Sequence, residues 1–530
     1  MIPPLPLGAV GARLRLPPLP AAAMFSEYVR KILRARVYDV AVKTPLDYMP
    51  RLSERLGHAV HLKREDLQPV FSFKLRGAYN KMVQLTAAER AAGVIASSAG
   101  NHAQGVALAA GALKCQAVIV MPRTTPEIKV RAVRRLGARI VLHGDNFDAA
   151  SAHAQELAVQ RGLTMIHPFD DPEVIAGQGT IAMEMLQQHR GSLDAVFIPV
   201  GGGGLFAGMA SYLRYVQPDI RLIAVEPADA PTLKAACEAG HPVRLEQVGL
   251  FADGVAVREI GRQTFPLARE AVDEHVLVST DEICAAIRDI YEDTRCIAEP
   301  AGALAVAGIK RWLATRRGED RRLQLAGVLC GANMNFDRLR HIAERTELGD
   351  HREALLAVTI PERPGSFQRF CRALGARPIT EFNYRYADAE QAHVFLGVRL
   401  TRGGDERERL LRLLERKGYA VVDLTDNEMA KLHLRYLVGG HAPHSGPERL
   451  FRFEFPERPG ALLQFLTTLG RRWNITLFHY RNHGADYGRV LVALQGPAGE
   501  ADSLEASLAQ TGYPFVEESD NPAYRFFLGG

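Results

Sequence analysis

The sequence predicts an α/β protein: a doubly wound, mostly parallel sheet region, followed by two small ferredoxin-like α+β units with the order βαββαβ. From about residue 40 to 345, short apolar runs without polar alternation are separated by helical stretches. This pattern is typical of parallel strands covered on both faces. The last third lacks the pattern and contains an internal repeat instead. A length of 530 residues predicts about three to four domains.

The first 23 residues predict a disordered leader. They contain six prolines and two arginines but no acidic residue. A targeting peptide is more often Ser-rich and amphipathic, or has an apolar core. We therefore expect the organised chain to begin near Met24, and the first folded region to span residues 24–345.

The composition excludes several classes of protein. Basic and acidic residues number 65 and 60 and are spread along the chain, so nucleic acid is not an expected partner. The longest uncharged stretch, 195–213, contains Pro199 and four consecutive glycines, so we expect no membrane-spanning helix. The six cysteines form no CxxC pair and no metal-ligand spacing. We therefore expect no metal site, and a reducing compartment such as the cytoplasm.

The apolar runs place the strands of the parallel region. These runs comprise residues 93–98, 117–121, 139–142, 195–200 and 222–225, and a helix-like stretch covers 103–113. Each run is continuous rather than alternating, so we expect these strands to be covered by helices on both faces.

The last third is built from a repeated block. The segment Pro-Glu-Arg-Pro-Gly occurs at 361–365 and again at 456–460, each time after an apolar, strand-like run. A second match aligns 380–385 with 476–481. A five-residue identity together with a second aligned block indicates two homologous units.

Each copy of the repeat is predicted to fold as strand, helix, strand, strand, helix, strand, which is the ferredoxin-like arrangement. We expect the first copy at residues 350–430 and the second at 448–530. The connector between them consists of Asp426–Gly440 and the Pro-, Gly- and His-rich stretch that ends at Pro447.

Four consecutive glycines, 201–204, are the first candidate for a ligand site. They follow a buried strand and precede a helix start at 205–208. Backbone N–H groups without side chains can approach an anion closely, and a helix N-terminus adds positive potential, so a phosphate is the expected ligand. A flexible turn is the alternative. Gly202-x-Gly204-x-x-Ala207 with Glu226 in the next strand also fits a weak dinucleotide pattern, which keeps NAD open.

Lys74 is the second candidate. Ser72 is expected to cap a helix, which places Lys74 in the first turn. The positive end of the helix dipole and partial burial would both lower the pKa of this amine, as an imine-forming lysine requires. The alternative is a solvated surface lysine.

Two further loops lie between a strand and a helix or at a strand end. Residues 97–102 are small and offer N–H groups to an anion such as a carboxylate, and Asn101 can donate to a phenolate oxygen. His102 is a candidate base or a structural residue of the helix start. Cys330, within 329–333, is a candidate site residue or an inert core thiol.

Together and in this order, these motifs resemble the β-family (fold type II) of pyridoxal-phosphate enzymes, and closely the biosynthetic threonine deaminases, also called threonine ammonia-lyases. The resemblance covers about residues 25–530. Its motifs are Ala99–Gly105, Gly177–Thr180, Gly201–Leu205, Glu299–Pro300, the paired C-terminal units and Arg525–Leu528. The paired units resemble the ACT-like regulatory domains of that family, which its catabolic members lack.

The resemblance implies a role for each cofactor-binding motif. Lys74 would hold the aldehyde of pyridoxal 5'-phosphate as an imine, and Phe73 would lie against one face of the pyridine ring. Asn101 would bond the 3-hydroxyl, and Cys330 would face the pyridine nitrogen, where close relatives usually have Ser. A neutral group there makes the ring a moderate electron sink, which suits β-elimination. The phosphate would be bound by Gly201, Gly202, Gly203, Gly204 and Leu205.

The resemblance also implies the substrate and the reaction. The carboxylate of the amino acid would be held by Ser97, Ser98, Ala99, Gly100, Asn101 and His102. The freed amine of Lys74 would then remove the α-proton. L-threonine, and less readily L-serine, would be deaminated to a 2-oxo acid and ammonia; threonine would give 2-oxobutanoate, the first step towards isoleucine.

Regulation is the last implication. The resemblance implies inhibition by isoleucine, antagonism by valine and a homotetramer. Phe367, Tyr384 and Tyr480 are the candidate effector residues, with the alternative that these aromatic rings only fill the core.

Three other functions remain open: an NAD-dependent dehydrogenase, another fold type II lyase or replacement enzyme, and a non-enzymatic amino-acid-binding regulator. The first and third leave Lys74 without a role.

Overall fold

The computed structural model divides the chain into two compact units, with the boundary between Glu344 and Arg345. The structure describes residues 21–123, 125–144, 147–249, 251–316, 321–350, 352–363, 365–385, 390–401, 404–427, 448–456, 461–470, 472–481, 487–496 and 501–520. Residues 1–20 of the predicted leader, most of the connector and the Arg525–Leu528 motif lie outside these residues. The first helix begins at Ala21, three residues before the expected start.

The first unit alternates strands and helices. Its helices are α1 Ala21–Arg34, α2 Pro50–Leu56, α3 Lys74–Val83, α4 Ala87–Ala92, α5 Asn101–Leu113, α6 Glu127–Arg135, α7 Phe147–Arg161, α8 Pro172–Gln188, α9 Gly204–Val216, α10 Thr232–Ala239, α11 Thr264–Ala271, α12 Thr280–Thr294 and α13 Pro300–Ala314, and α14 Leu339–Gly349 spans the unit boundary. Its strands are β1 Leu46–Tyr48, β2 Ala59–Arg64, β3 Val94–Ser97, β4 Ala117–Met121, β5 Arg139–Leu142, β6 Thr164–Met165, β7 Ala195–Pro199, β8 Arg221–Pro227, β9 Glu274–Val278 and β10 Gln324–Leu329.

These strands form two sheets, and the predicted doubly wound architecture is confirmed. One sheet has the order β1-β2-β10-β7-β8-β9 and is parallel except for β1. The other has the order β5-β4-β3-β6 and is parallel throughout. Strand β7 is buried along its whole length, as its continuous apolar run predicts. Strand β5 is partly exposed, contrary to that expectation, because it forms an edge of its sheet.

A buried cluster of charges fixes helix α3 between its neighbours. The Arg76 guanidinium, which is fully buried, bonds the carboxylates of Glu65 and Glu184 at 2.6–3.1 Å. Lys63 also binds Glu184, at 2.5 Å. Two cations facing two carboxylates balance their charges, which keeps the desolvation penalty of this cluster tolerable. Helix α3 carries Lys74, so the cluster positions that residue.

The second unit contains the two copies of the repeat. Its strands are β11 Glu353–Pro361, β12 Ile379–Arg385, β13 Gln391–Arg399, β14 Ala420–Asp423, β15 Arg449–Pro456, β16 Asn474–Arg481, β17 Tyr487–Gln495 and β18 Phe515–Glu517; its helices are α15 Ser366–Leu374, α16 Gly404–Arg416, α17 Ala461–Leu469 and α18 Ala501–Ala509. Each copy therefore has the predicted βαββαβ order.

The two copies share one sheet and one core. All eight strands form a single antiparallel sheet in the order β14-β11-β13-β12-β16-β17-β15-β18. The copies meet where β12 pairs with β16, with Phe382 opposite Tyr480 and Tyr384 opposite Phe478. Aromatic side chains of both copies, including Phe367 and Phe478, belong to one hydrophobic cluster. The repeat predicts the fold of each copy but not this merger.

Among the described residues, none of the helices has the length and apolar character that crossing a membrane requires.

Candidate active site

Lys74 is the first residue of helix α3, in the first turn as predicted, but Ser72 does not cap that helix. The N-cap residue is Phe73, already in a helical conformation, and no side-chain cap is formed. The backbone of Ser72 instead bridges to Gly331, and its buried hydroxyl has no hydrogen-bond partner among the described residues. The predicted cap is wrong because this bridge holds Ser72 one residue before the N-cap position, which Phe73 occupies.

The Lys74 amine lies in the protein rather than on its surface. Nζ donates to the carbonyl of Pro168 at 3.1 Å and lies 5.2 Å from the centre of the Phe73 ring. Burial lowers the pKa of Lys74 to about 8, while the negative charges that Cys330 and Glu299 can carry act in the opposite direction. About a tenth of this amine is therefore uncharged at about pH 7, far more than an unperturbed lysine provides, and this favours attack on an aldehyde.

Cys330 follows β10 and lies next to this segment. Its carbonyl accepts a hydrogen bond from Phe73 N at 3.3 Å, and its thiol donates to the carbonyl of Ala301 at 3.3 Å. Burial raises the pKa of the Cys330 thiol well above its usual range. Cys330 is therefore a neutral thiol, which is the state that the predicted role beside a pyridine nitrogen requires. In this structure its S–H donates a hydrogen bond to the Ala301 carbonyl.

The glycine loop lies between β7 and α9 and is packed so closely that side chains cannot fit. A Cβ at Gly202 would lie 2.3 Å from the Phe169 ring, and a Cβ at Gly201 would lie 2.9 Å from Val255 Cα. Gly203 has φ +88°, a conformation that favours glycine. Helix α9 begins at Gly204, and Leu205 is buried in its first turn.

The polar groups of this loop are oriented by neighbouring hydroxyls. Thr264 donates to the carbonyl of Gly202 at 2.7 Å, and Thr232 donates to that of Gly201 at 2.9 Å. Among the described residues, none accepts a hydrogen bond from the N–H of Gly202 or Gly203. Tethered carbonyls, unpaired N–H groups and a helix N-terminus together fit the phosphate of the cofactor.

Glu226, on which the dinucleotide alternative depends, is already engaged. Its buried carboxylate accepts from the backbone N–H groups of Leu233 and Lys234, at 2.7 and 3.1 Å. It therefore stabilises the start of helix α10, so it is not available to bind a ribose.

The predicted carboxylate loop connects β3 to α5. Ser97 ends the strand, and its buried hydroxyl has no partner among the described residues. Ser98 Oγ accepts from Gly100 N at 3.2 Å, and Asn101 begins the helix, so Ala99 lies within the loop. An unsatisfied buried hydroxyl at a helix N-terminus fits an anionic substrate group.

The His102 ring faces away from such a role. It is buried, and its Nε2 lies 2.8 Å from the carbonyl of Ile166. Burial lowers the pKa of His102 to about 3. A ring that stays neutral and donates to a backbone carbonyl favours the structural alternative over the base.

Sequence reasoning assigned no role at this site to four residues: Pro168, Phe169, Glu299 and Asn333. Pro168 and Phe169 are adjacent in the chain, and they contact the Lys74 amine and the glycine loop respectively. Asn101 donates to Glu299 Oε1 at 2.5 Å and accepts from Asn333 Nδ2 at 2.7 Å. Two of these residues lie in motifs of the sequence, Glu299 in Glu299–Pro300 and Asn333 in the segment 329–333. Nothing local in the sequence indicates that either side chain contacts Asn101.

The second unit has a cavity of its own between the two copies of the repeat. Its lining consists of Ile360, Pro361, Glu362, Arg363, Gly365, Ser366, Phe367, Gln368, Tyr384, Leu466, Leu469, Gly470, Trp473, Asn474 and Ile475. Two predicted effector residues, Phe367 and Tyr384, therefore lie together, with ring centres 5.8 Å apart. Tyr480 packs against the shared core and is not in the lining.

Comparisons with known proteins match both units. Residues 37–330 match the family of pyridoxal-phosphate dependent enzymes. Residues 344–434 and 439–528 each match the C-terminal regulatory domain of threonine dehydratase. Over the described residues, no group of three or more His, Cys, Asp or Glu could hold a metal ion.

Individual relatives cover nearly the whole chain. A biosynthetic L-threonine dehydratase of Escherichia coli (strain K12) is 56% identical over 97% of this chain and 99% of its own length. A chloroplastic biosynthetic threonine dehydratase of Arabidopsis thaliana is 49% identical over 98% of this chain and 88% of its own length. The structure of the processed form of threonine deaminase isoform 2 from Solanum lycopersicum is 48% identical, with a TM-score of 0.59 over 61% of this chain and 93% of that one. The chain therefore belongs to the biosynthetic threonine dehydratases, a pyridoxal-phosphate dependent family with a C-terminal regulatory region.

Proposed function

We propose that the chain deaminates L-threonine to 2-oxobutanoate and ammonia, and L-serine less readily, as the entry step of isoleucine synthesis. One observation carries the proposal: Pro168 and Phe169, which are adjacent in the chain, contact the partly buried Lys74 amine and the glycine loop respectively. An amine of lowered pKa next to an anion cradle matches an aldehyde and a phosphate carried by one molecule.

The residues divide the work of binding the cofactor and the substrate. Lys74 would hold the aldehyde, Phe73 the face of the ring, and the loop 201–205 the phosphate. Pyridoxal phosphate, when bound, withdraws electrons from the bonds to the substrate's α-carbon. The Ser97 hydroxyl and the N-terminus of α5 would orient the substrate carboxylate.

Lys74 is the group that moves the proton. With the cofactor and the substrate bound, the free amine of Lys74 would be the base that takes the proton from the substrate's α-carbon. Burial lowers the pKa of Lys74 to about 8, so more of its amine is uncharged near neutral pH than in an exposed lysine, and the Pro168 carbonyl accepts a hydrogen bond that orients Nζ. The β-hydroxyl would take up a proton and leave as water, and one water would be taken up again when the unsaturated product hydrolyses to the 2-oxo acid and ammonia.

The second unit supports a role in sensing isoleucine, with valine as antagonist. Its cavity has a carboxylate, Glu362, that can bind an ammonium, and apolar side chains such as Ile360 and Leu466 for an aliphatic group. The Trp473 indole N–H is buried and has no hydrogen-bond partner among the described residues, so it can donate to a carboxylate. The lining therefore offers a partner for the ammonium, the carboxylate and the aliphatic side chain of an apolar amino acid.

The Tyr384 hydroxyl donates to Glu362, and burial raises the pKa of that carboxyl. Phe367 and Tyr384 belong to the hydrophobic core and also line the cavity. Filling the core and contacting an effector are therefore compatible roles for these two rings.

A keto-acid assay with threonine and serine, with and without isoleucine, tests the function. Expected results are faster turnover of threonine and inhibition by isoleucine that valine relieves. Turnover of neither amino acid would refute the proposal. Removal of residues 350–530 retains α14 and should leave turnover while erasing the inhibition; inhibition that survives would refute the regulatory role.

The proposal includes a homotetramer in the cytoplasm. All six cysteines are free thiols, which suits a reducing compartment. Light scattering of the purified protein tests the assembly: a monomer would contradict it.

A further inference from the structure

Glu299 precedes helix α13, yet its carboxylate does not cap that helix. Its side chain points instead to Asn101, 198 positions away, and Oε1 accepts from Asn101 Nδ2 at 2.5 Å. Only 6% of Glu299 is exposed. A buried carboxylate costs free energy unless it is hydrogen-bonded, so the contact with Asn101 is a specific feature of the site.

The orientation of the Asn101 amide is fixed from both sides. Asn333 Nδ2 donates to the carbonyl of Val70 at 2.9 Å and to Asn101 Oδ1 at 2.7 Å. Because a carbonyl can only accept, the atom of Asn333 beside Val70 must be nitrogen, and Asn101 Oδ1 must be the acceptor. Asn101 Nδ2 therefore faces Glu299, which leaves one N–H of that amide for a ligand.

A glycine makes the contact between these groups feasible. A Cβ at Gly331 would lie 2.3 Å from Glu299 Oε1 and 3.1 Å from Asn101 Nδ2. The backbone also holds Glu299 here, since its N–H donates to the carbonyl of Gly331 at 3.2 Å. These hydrogen bonds and the close approach at Gly331 therefore fix the positions of Asn333, Asn101 and Glu299 relative to one another.

We propose that Glu299 and Asn333 are positioning residues that hold Asn101 as a hydrogen-bond donor to the 3-oxygen of the bound cofactor, and that the charge of Glu299 is transmitted through Asn101 to the cofactor ring. This inference rests on the proposed function, because it requires pyridoxal phosphate held by Lys74. Glu299 and Asn333 would act on the cofactor indirectly, through their hydrogen bonds to Asn101.

The surroundings of Glu299 place its ionisation near neutral pH. Burial raises the pKa of Glu299 to about 7, as does Asp253, while the hydrogen bond from Asn101 and the charge of Lys129 act in the opposite direction. Lys74 and Cys330 also face this carboxyl. Above its pKa Glu299 is an anion that polarises the Asn101 N–H; below it, the acceptor is weaker.

The experiment follows the visible absorption band of the purified holoenzyme as a function of pH. Wild type should show a change with a midpoint near pH 7, and E299Q, which keeps an acceptor oxygen but not the charge, should lack it between about pH 6 and about pH 8. N333A should raise the dissociation constant for pyridoxal phosphate about tenfold. E238Q, the same chemical change on an exposed residue of α10, should behave as wild type.

Two charge variants leave the chain of side chains intact, so they test the inference even if E299Q folds poorly. D253N should move the midpoint to lower pH and K129M to higher pH, because Asp253 and Lys129 act on Glu299 in opposite directions. A holoenzyme that deaminates threonine but has the same midpoint in all variants would overturn the inference alone. A protein that binds no pyridoxal phosphate at Lys74 would overturn the proposed function and the inference with it.

Discussion

The candidate ligand sites of the two units are built by different means. In the first unit the candidate site consists largely of backbone groups at strand ends and helix starts, and glycines are required because a Cβ at Gly202 would meet the Phe169 ring. In the second unit, side chains such as Glu362 and Trp473 line a cavity between two homologous copies. A backbone site tolerates no added atoms, whereas a side-chain site can be altered one group at a time. The contrast predicts steep effects in the first unit and graded ones in the second.

Replacement of Lys74 should have the largest effect. K74A removes the only group proposed to bind the aldehyde and to move the α-proton, so the visible band should disappear and kcat should fall by at least about 10⁴-fold. The control is K81A on the same helix, where the lysine pairs with Asp171. A K74A enzyme that keeps both colour and turnover would contradict the assignment.

An added methyl group in the glycine loop should have the next largest effect. G202A places a Cβ 2.3 Å from the Phe169 ring, and the required shift should weaken binding of pyridoxal phosphate by about 30-fold, from overpacking of about 2 kcal/mol. The same change at Gly111, where the nearest atom is 4.0 Å away, should leave the affinity unchanged. Equilibrium dialysis measures the dissociation constant for pyridoxal phosphate in G202A and in G111A. Equal dissociation constants in the two variants would show that the loop does not bind the phosphate.

The pH dependence of cofactor loading should be smaller. The pKa of Lys74 is lowered to about 8, so the uncharged fraction of the amine grows as the pH rises through that value. The rate of reconstitution of the apoenzyme should increase about tenfold between about pH 7 and about pH 9. Stopped-flow absorbance measures the rate. A rate that still climbs tenfold per pH unit above about pH 9 would mean that the pKa is not lowered.

The smallest effect is expected in the second unit. W473F removes one indole N–H, so the isoleucine concentration for half inhibition should rise about fivefold, the loss of one hydrogen bond, with kcat for threonine unchanged. Trp312, the other tryptophan of the chain, donates to Glu274 in the first unit. W312F therefore serves as the matched control. It also leaves Trp473 as the sole tryptophan, whose emission should respond to isoleucine; an unresponsive emission would argue against the cavity.

Local patterns in the sequence determined five strands of the first unit (β3, β4, β5, β7 and β8), the glycine loop and the repeat. The apolar run that forms β7, the four glycines after it, and the two copies of Pro-Glu-Arg-Pro-Gly each specify structure over a few residues. Such signals are sufficient because strand burial, backbone freedom and helix starts depend on neighbours in the chain. Lys74 was assigned correctly to the first turn of a helix for the same reason, whereas Asn101, expected in the loop before a helix at 103–113, is the first residue of α5.

Only the tertiary structure decided which side chains meet. Asn101 contacts Glu299 and Asn333, which are 198 and 232 positions away, and β12 joins β16 across the two copies. The bridge from Ser72 to Gly331 removed the predicted helix cap. Contacts of this range depend on how loops close and how sheets stack, and a local sequence pattern carries no information about either. The sequence therefore determined the parts of the site, and the packing determined the hydrogen bonds between them.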